Sequence, residues 1–556
     1  MITGKILRDA IISGANAIIN NKSTVDELNV FPVPDGDTGT NMSMTIGAAK
    51  KELESLPDDV TVEKVASTTA SCMLRGARGN SGVISSLLFR GFSKALKGKE
   101  TAGAKDLTEA LRKGVDGAYK AVMQPTDGTI LTVAREACEK AESLDTDDEV
   151  RLWQEVVIAA EKALEKTPEM LPVLKKAGVV DAGGQGLVFI FTGMLSVFRN
   201  GVIVAPREIE KKKEEEFSAT GVFSKDIDKN VENGYRVEFS IHKSEKTRLD
   251  RLRAYIESIG DDIVIAETDE LVKVHLHTQE PGRAITEGLK HGQLTAIKVV
   301  YVAEKVSDLD ERGTALEKQA NDANTEKEFK YMAVDDSIDF GFVAVAAGEG
   351  LVNTFKDLGV DAVVTGGQTM NPSTEDILDA AQSIPAKTIF VLPNNKNIIM
   401  AAEQAAQIAD RKLIVIPTRT IPQGITAMLN FDPDRDAKSN AMNMDSAARG
   451  VKSGSVTFAA RNSDFEGQNI KRGDILAMEN SKLAFVEKDI EGATTKLIRQ
   501  LTNKDTSFIT IIYGEGISRE DADKLVKKVE KRAGKNAEIT LIDGGQPVYY
   551  YLIGVE

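Results

Sequence analysis

The first two hundred residues carry one continuous pattern, in which apolar side chains recur at helical spacing and no convincing alternating run interrupts them. Helical segments of this kind cover residues 129–142 and 150–166, and Asp106 with Glu109 fits a capping box before another. A chain of 556 residues is too long for one hydrophobic core, and about 100 to 200 residues per domain indicates roughly three or four domains. We therefore predict an all-helical first domain at residues 1–200.

The pattern changes near residue 234, where apolar residues begin to alternate with polar ones. Residues 235–302 predict the element order βαββαβ, which is that of a ferredoxin-like α+β domain, and we place this domain at residues 201–327. In its third strand His275 and His277 share one face, which the pattern predicts to be polar and exposed. Two histidines can bind a metal, but zinc normally takes three or four protein ligands, and an exposed pair needs no metal.

The last part of the chain, residues 328–556, has the alternation of apolar runs and helical segments that is typical of an α/β domain. Four short apolar runs predict parallel strands at residues 342–347, 362–365, 388–392 and 413–417. Each run is followed by a polar or small-residue loop, at residues 348–350, 366–373, 394–397 and 418–420. Ligands of open α/β sheets usually bind beyond the carboxyl ends of the strands, so we expect a partner or substrate group to dock there.

Composition excludes several classes of protein. A net charge of −15, from 85 acidic and 70 basic residues, argues against a dedicated nucleic-acid binder. Only two cysteines occur, Cys72 and Cys138, which is typical of a reducing compartment. The amino-terminal segment lacks the apolar core of a signal peptide, and the longest apolar run, residues 187–198, is shorter than the roughly twenty residues of a membrane span. We expect a cytoplasmic protein without a transmembrane segment.

A loop at residues 29–41 has the composition of a metal and phosphate site. Its two prolines restrict the backbone, and Gly36 and Gly39 permit conformations that a side chain would forbid. Asp35 and Asp37 place two carboxylates close together, and further oxygens come from Thr38, Thr40 and Asn41. Such a set suits Mg²⁺, which prefers oxygen ligands and usually shares them with substrate phosphates. A surface turn in which an aspartate caps the following helix explains the same residues equally well.

Three further loops rich in glycine also precede predicted helices, at residues 76–82, 126–129 and 181–186. Free N–H groups at a helix start, aligned with the helix dipole, attract phosphate, and small residues let the phosphate approach. Together with the aspartate loop they predict a cradle for a nucleotide and Mg²⁺. The candidate contacts in this cradle are Thr40, Asn41, Asn80, Ser81, Gly82, Thr129, Ile130, Asp181 and Gly183.

These motifs carry a family resemblance. Residues 1–200 resemble the nucleotide-binding domain of the dihydroxyacetone kinase family through the loop at Asp35 and Asp37, Asn41, the turn at residues 79–82 and the loop at 127–129. The resemblance implies an eight-helix barrel that holds ATP with two Mg²⁺ ions. The whole chain is similar to the kinase component of bacterial fatty acid kinase, through PVPDGDTGTNM, GARGNSGVI, AGVVDAGGQG, GGQTMNPS and the terminal YYYLIGVE.

The second resemblance implies an activity. The kinase would phosphorylate the carboxylate of a fatty acid presented by a separate lipid-binding protein, and the acyl phosphate would feed phospholipid synthesis. The carboxyl-terminal domain looks similar to the DegV-type fold of that partner and is expected to dock it, and the family suggests a homodimer. Two other functions remain open, which are a kinase of a small carbonyl or polyol substrate and a regulatory scaffold that binds ATP without transferring its phosphate.

The resemblance also implies residue roles. Asp35 and Asp37 would hold the Mg²⁺ ions that bridge the phosphates. The phosphates would be cradled by the N–H groups at residues 80–82 and by Thr38, Thr40, Asn41 and Ser81. The adenine would lie near Ile130, with Thr129 close by.

Two departures from the family pattern concern metals. Dihydroxyacetone kinases have a third aspartate where this chain has Val30, and Asn29 could supply an oxygen instead. The fatty acid kinase family is expected to hold zinc in its middle domain with a cysteine and two histidines, but Arg236 replaces the cysteine beside His275 and His277. We therefore predict that the middle domain binds no zinc.

Overall fold

The structure is a computed structural model. It describes residues 1–29, 36–122, 125–206, 234–243, 249–267, 271–302, 329–367, 370–459, 463–465, 468–480, 482–533 and 537–556. The chain forms two compact units, of which one combines Met1–Pro206 with Lys327–Glu556 and the other is Arg207–Glu326. The predicted division into domains at residues 200 and 327 stays a prediction.

The amino-terminal part is helical, as predicted. Its described residues form eight helices of 13 residues or more and two shorter ones, joined at the start by a two-residue strand pair, β1 (Ile2–Thr3) with β2 (Thr101–Ala102). The helices are α1 (Gly4–Asn20), α2 (Lys22–Leu28), α3 (Thr38–Leu53), α4 (Val62–Arg75), α5 (Gly79–Ala95), α6 (Ala104–Ala121), α7 (Ile130–Glu142), α8 (Glu149–Met170), α9 (Pro172–Ala177) and α10 (Ala182–Asn200).

The predicted capping box at Asp106 and Glu109 was wrong in position. Helix α6 begins at Ala104 with Gly103 as its N-cap, so Asp106 is the third helical residue. The Asp106 carboxylate accepts a 2.9 Å hydrogen bond from the Gly103 N–H. Asp106 therefore still stabilises the start of α6, because an acidic residue at the third helical position can accept a hydrogen bond from the backbone N–H of the N-cap residue.

The core of this part is formed by closely packed helices. Helices α1 and α10 approach so closely that a Cβ added at Gly14 would lie 2.8 Å from the Ile190 carbonyl oxygen. Trp153 of α8 is fully buried, and its indole N–H donates a 3.1 Å hydrogen bond to the Phe191 carbonyl of α10. These contacts fix the first and last long helices side by side and hold α10, whose start belongs to the candidate site.

The second unit has the element order βαββαβ. Its elements are β3 (Gly234–Lys243), α11 (Leu249–Glu257), β4 (Asp261–Glu267), β5 (Leu271–Thr278), α12 (Pro281–His291) and β6 (Gly292–Val302). The sheet order is β4-β5-β3-β6 with antiparallel neighbours, and Arg236 pairs with His277 in the register.

The expectation that His275 and His277 are exposed was wrong, since their exposed fractions are 9% and 2%. A period of two reveals which residues share a face of a sheet, but not whether that face is covered.

The carboxyl-terminal part contains the predicted parallel sheet. Strands β7 (Phe340–Ala346), β8 (Ala362–Thr365), β9 (Thr388–Leu392) and β10 (Lys412–Val415) pair in the order β10-β9-β7-β8, all parallel. The helices that accompany them are α13 (Glu349–Asp357), α14 (Thr374–Gln382), α15 (Ile399–Ile408), α16 (Ile421–Leu429) and α17 (Ala437–Gly450). Strand β9 is buried along its whole length and β7 is buried after Phe340, which explains why both strands are almost entirely apolar.

A second sheet completes this part. Its elements are β11 (Lys452–Phe458), β12 (Ser463–Phe465), β13 (Gln468–Ile470), β14 (Ile475–Glu479), β15 (Lys482–Glu487), α18 (Ile490–Leu501), β16 (Phe508–Tyr513), α19 (Arg519–Ala533), β17 (Glu538–Asp543) and β18 (Tyr551–Val555). Six of the strands pair in the order β15-β14-β11-β18-β16-β17, and β12 pairs with β13 in a small hairpin.

The helical part and the parallel sheet share one hydrophobic core. A single buried cluster includes Val83 and Leu87 of α5 together with Ala401 and Ala402 of α15. The two parts are therefore packed as one body, and loops of the sheet can reach the helix starts. Across the described stretches, no helix combines the length and apolarity needed to cross a bilayer.

Candidate active site

Asp37 stands at the start of α3, as the helix N-cap, and its carbonyl oxygen accepts a 2.8 Å hydrogen bond from the Asn41 N–H. Its carboxylate makes no capping bond to the helix. Instead, Oδ2 of Asp37 accepts a 2.6 Å hydrogen bond from Nδ2 of Asn371, which belongs to the loop after β8. An ionised carboxylate can accept several bonds at once, so Asp37 can bind a ligand in addition to Asn371. Asp35 and Val30 lie outside the described residues.

The short helix α2 supports the start of α3. The Asp26 carboxylate accepts hydrogen bonds from the Thr40 N–H at 3.0 Å and from the Thr40 hydroxyl at 2.8 Å. Burial raises the pKa of Asp26, and the bonds from Thr40 oppose that rise. Nδ2 of Asn29 donates a 3.2 Å bond to Oγ1 of Thr38. The structure thus gives Thr40 a partner that the sequence did not reveal, and its hydroxyl is directed to Asp26.

The start of α5 lies against the start of α3. Gly79 has a φ of +57°, and a Cβ added there would lie 2.6 Å from Nδ2 of Asn41, which is 3% exposed. The Thr45 hydroxyl accepts a 3.2 Å bond from the Arg78 N–H and donates a 2.7 Å bond to the Asn41 carbonyl. A Cβ at Gly82 would lie 2.4 Å from Oγ1 of Thr45. The two helices can meet this closely only because glycines stand at both positions.

The starts of α7 and α10 adjoin the same place. Asp181 caps α10, where Oδ2 accepts a 2.7 Å hydrogen bond from the Gly184 N–H. A Cβ added at Gly183 would lie 3.2 Å from the Cβ of Ile130, the first residue of α7. A Cβ at Gly186 would lie 2.6 Å from the sulfur of Met42 in α3. The starts of α3, α5, α7 and α10 are therefore linked by direct contacts, as the glycine-rich loops predicted.

The remaining predicted contacts lie at these helix starts. Thr129 is the N-cap of α7, and its hydroxyl donates a 2.8 Å bond to the Thr126 carbonyl. Ile130 is buried at the first position of that helix. Ser81 lies in the first turn of α5, and its carbonyl accepts a 2.8 Å bond from the Ser85 hydroxyl. The structure thus places Thr129, Ile130 and Ser81 at the helix starts where the sequence predicted them.

The site has the polar character that a phosphate-bearing ligand requires. Helix starts present free N–H groups and the positive end of the helix dipole. Oδ1 of Asn80, in the first turn of α5, is buried and has no hydrogen-bond partner among the described residues. A buried oxygen without a partner costs about 1–3 kcal/mol, and an amide oxygen accepts hydrogen bonds or binds cations but does not bind phosphate oxygens. Burial also raises the pKa of Asp181 to about 6.

The sequence missed the residues that the α/β part contributes. The Arg78 guanidinium donates a 2.8 Å bond to the Asn371 carbonyl and lies 3.3 Å from the Asp376 carboxylate. The Thr374 N–H donates a 3.0 Å bond to the Ala77 carbonyl. The loop at residues 366–373 was predicted as part of a docking crevice, and in the structure its Asn371 contacts the helical part. No spacing rule relates two residues 334 positions apart. The polar residues Asn371 and Ser373 in the loop after β8 were the one sequence feature that could have indicated this contact.

The described residues contain no group of three His, Cys, Asp or Glu side chains placed to hold a metal ion. The rings of His275 and His277 are perpendicular, with centroids 5.4 Å apart. The absence of zinc from the second unit stays a prediction.

Comparison with known proteins identifies the family. Residues 341–556 match the sequence model of the C-terminal domain of FakA-like fatty acid kinase proteins, residues 232–309 match the middle domain of the same proteins, and residues 32–196 match the DAK2 domain. Protein YloV of Bacillus subtilis is 39% identical over 566 residues, which covers 100% of this chain and 99% of the relative. The chain belongs to the FakA-like fatty acid kinase family. The uncharacterized protein SH1689 of Staphylococcus haemolyticus is 38% identical, over 100% of this chain and 99% of the relative.

Membership of the FakA-like family confirms the resemblance that the motifs carried. Among solved structures, the dihydroxyacetone kinase from C. freundii in complex with AMP-PNP and Mg²⁺ aligns with 34% of this chain and 33% of that chain, at 19% identity and a TM-score of 0.28. A fatty-acid-binding DegV family protein from Thermus thermophilus aligns with 39% of this chain and 99% of that chain, at 12% identity and a TM-score of 0.30. Both TM-scores are too low to support an argument about this chain.

Proposed function

We propose that this chain is an ATP-dependent kinase that phosphorylates the carboxylate of a fatty acid held by a separate DegV-type lipid-binding protein. The acyl phosphate would serve phospholipid synthesis in the cytoplasm. The family supports a kinase of the fatty acid kinase type. The observation that carries the proposal is the bond from Asn371 to Asp37, because it joins the α/β part to the carboxylate at the linked helix starts.

The proposed reaction needs no general base. A fatty acid carboxylate is already ionised at neutral pH, since carboxyl groups ordinarily have a pKa of about 4. One carboxylate oxygen attacks the γ-phosphorus of ATP and forms a P–O bond. The bond between the γ-phosphorus and its bridging oxygen breaks, and ADP leaves with the electron pair. The protein therefore has to position two anions and stabilise charge, which is the usual requirement in phosphoryl transfer.

The helix starts supply these requirements in our proposal. Asp37, with Asp35, would hold two Mg²⁺ ions, which neutralise charge on the phosphates when bound. Thr38, Ser81 and the N–H groups at residues 80–82 would bind phosphate oxygens. Gly79 and Gly82 let the start of α5 lie against α3, because a Cβ at either position would collide with Asn41 or Thr45. The adenine would lie near Thr129 and Ile130.

The carboxyl-terminal part would receive the partner. Its parallel strands end at the edge from which the loop of Asn371 extends to Asp37. A lipid-binding protein docked at this edge would present its fatty acid carboxylate beside Asp37. We further propose that the eight long helices form a barrel, that the second unit is ferredoxin-like, as its strand order supports, and that the enzyme is a homodimer.

The test is a phosphoryl-transfer assay with γ-labelled ATP, Mg²⁺ and a fatty acid, with and without a DegV-type protein. We expect hydroxylamine-sensitive acyl phosphate only when that protein is present. Asp37→Ala should lower turnover by more than about 100-fold with an unchanged circular dichroism spectrum. The matched control is Asp59→Ala, at an exposed loop position, which should keep full activity. An active Asp37→Ala enzyme would reject this site, and transfer to a small carbonyl or polyol instead of a fatty acid would reject the substrate.

A further inference from the structure

A second concave site lies between the helical part and the parallel sheet. It has a cavity volume of about 260 Å³ and is formed by α5, α6 and α15. Four basic side chains line it, which are Arg90 and Lys94 of α5 with Lys113 and Lys120 of α6. Arg90 and Lys94 stand 11 and 15 positions after Gly79, or roughly 16 and 22 Å along the helix at about 1.5 Å per residue. We name this site the basic cleft, and it is separate from the helix starts.

The charges of the basic cleft are largely uncompensated. Lys113 lies 3.3 Å from the Glu109 carboxylate, whereas Arg90, Lys94 and Lys120 have no ion pair within the described part of the chain. Bringing like charges together is unfavourable unless an anion joins them. This clustering occurs in a chain with a net charge of −15, so it is a local feature and not a reflection of composition.

Another basic cavity provides the contrast. It is lined by Lys496, Arg499, Lys528 and Lys531 of α18 and α19. There Lys496 lies 2.6 Å from the Glu487 carboxylate and Lys528 pairs with Glu491. Carboxylates of the chain itself therefore compensate Lys496 and Lys528. In the basic cleft only Lys113 has such a partner among the described residues.

Gln404 of α15 also lines the basic cleft, and its side chain is only 4% exposed. This side chain is neutral, so the positive charge of the cleft comes from α5 and α6.

We propose that the basic cleft binds a small soluble phosphate anion of the pyrophosphate type, at a site distinct from the proposed nucleotide site. Arg90 is half-buried, and its planar guanidinium group can donate two hydrogen bonds to phosphate oxygens. Lys94 of α5 and Lys120 of α6 add positive charge to the cleft. The cavity volume is below the range of about 300–1,000 Å³ that is typical of sites for drug-sized ligands. The cleft therefore suits a diphosphate group better than a whole nucleotide.

The experiment titrates the full-length protein with pyrophosphate by calorimetry in buffer that contains Mg²⁺ and saturating AMP-PNP, so that the nucleotide site is occupied. Wild type should bind about one pyrophosphate per chain. The variant Arg90→Gln/Lys94→Gln/Lys120→Gln should bind at least tenfold more weakly, because three charges are removed and the side chains remain long and polar. Equal binding by wild type and the triple variant would overturn the proposal.

The control is Lys496→Gln/Lys528→Gln in the second basic cavity, which should leave pyrophosphate affinity unchanged. A comparable loss in this control would mean that only overall charge matters, and it would also overturn the proposal. Vesicles containing phosphatidylglycerol provide a further arm, and vesicle binding without pyrophosphate binding would assign the cleft to a membrane surface instead. Failure of the nucleotide proposal would appear separately, as absent AMP-PNP binding with the pyrophosphate signal intact.

Discussion

Asn371 donates a 2.6 Å hydrogen bond to the carboxylate of Asp37 across 334 positions of sequence. Asn371 is 3% exposed, and its own carbonyl is held by Arg78 at 2.8 Å. The bond from Asn371 therefore fixes the orientation of the Asp37 carboxylate beside the helix starts. We expect Asn371 to be a positioning residue, which acts on a candidate Mg²⁺ ligand through a charge-assisted hydrogen bond.

Replacing Asn371 by Ala should lower Mg²⁺-dependent turnover by about 10–100-fold and raise the Mg²⁺ concentration needed for half-maximal rate. Loss of an outer partner of a metal ligand typically has an effect of this size. The measurement is turnover as a function of Mg²⁺ concentration. A purely structural role would lower stability without changing the Mg²⁺ requirement. Asn443→Ala, which removes a 2.5 Å bond to the Asn430 carbonyl on other helices, should leave that requirement unchanged.

Replacing Gly79 by Ala should lower the free energy of unfolding by roughly 2–4 kcal/mol and abolish nucleotide binding. The new residue would have to adopt a φ of +57°, and its Cβ would lie 2.6 Å from Nδ2 of Asn41 and 3.3 Å from Nδ2 of Asn371. Urea unfolding and AMP-PNP titration measure the two effects.

Gly98 provides the matched control for this change. It has a φ of +77°, but nothing lies within 4 Å of an added Cβ. Gly98→Ala should therefore introduce only the backbone strain, about 1 kcal/mol, and keep nucleotide affinity. Equal losses in the two variants would show that the contact with Asn41 is unimportant.

Asp181 should make stability depend on pH. Its pKa rises from 3.8 to about 6 in the folded protein because the carboxyl group is buried. A raised folded pKa contributes stability that is complete below the unfolded pKa and is lost as pH rises through the folded one. Asp181→Asn keeps an oxygen for the Gly184 N–H and removes the charge. The free energy of unfolding of the variant, relative to that of wild type, should increase by about 1 kcal/mol as pH rises from about 5 to about 7.5. Urea unfolding measures this change.

Asp436, which caps α17, is the control for this prediction. Hydrogen bonds from Ser439 lower the pKa of its exposed carboxyl group, so both folded and unfolded states are ionised above about pH 5. The difference in free energy of unfolding between Asp436→Asn and wild type should be constant across the same range of pH. A constant difference for Asp181→Asn as well would contradict the assignment of the pH dependence to Asp181.

The second unit should contain no stoichiometric zinc. The substitution Arg236→Cys should create a zinc site there. Arg236 stands opposite His277 on the neighbouring strand, and His275 is two residues away from His277 on that strand. A thiolate at position 236 would give three ligands of the type that zinc prefers. Metal analysis of the purified proteins should find about one zinc per chain in the variant only, and His275→Ala in that background should remove it. Zinc in the wild type at one per chain would refute the prediction.

The local patterns of the sequence determined most of the elements. The helices at the amino terminus and the four parallel strands lie where the apolar periodicity placed them, because each period matches one backbone geometry. The glycine-rich loops correctly indicated helix starts that adjoin one another. The sequence was misleading at α6, where either Gly103 or Asp106 could serve as the N-cap. In the structure Gly103 is the N-cap, and the Asp106 carboxylate accepts a hydrogen bond from its N–H.

Only the tertiary structure decided which distant groups meet. The sequence identified Asp37 as a candidate ligand, but it could not identify Asn371 as its partner, because a hydrogen bond between residues 334 positions apart has no period or spacing. Burial of His275 and His277 and the assembly of the basic cleft from three helices depend in the same way on packing between elements. The sequence determined the local backbone and its chemistry, and long-range packing decided which side chains are neighbours.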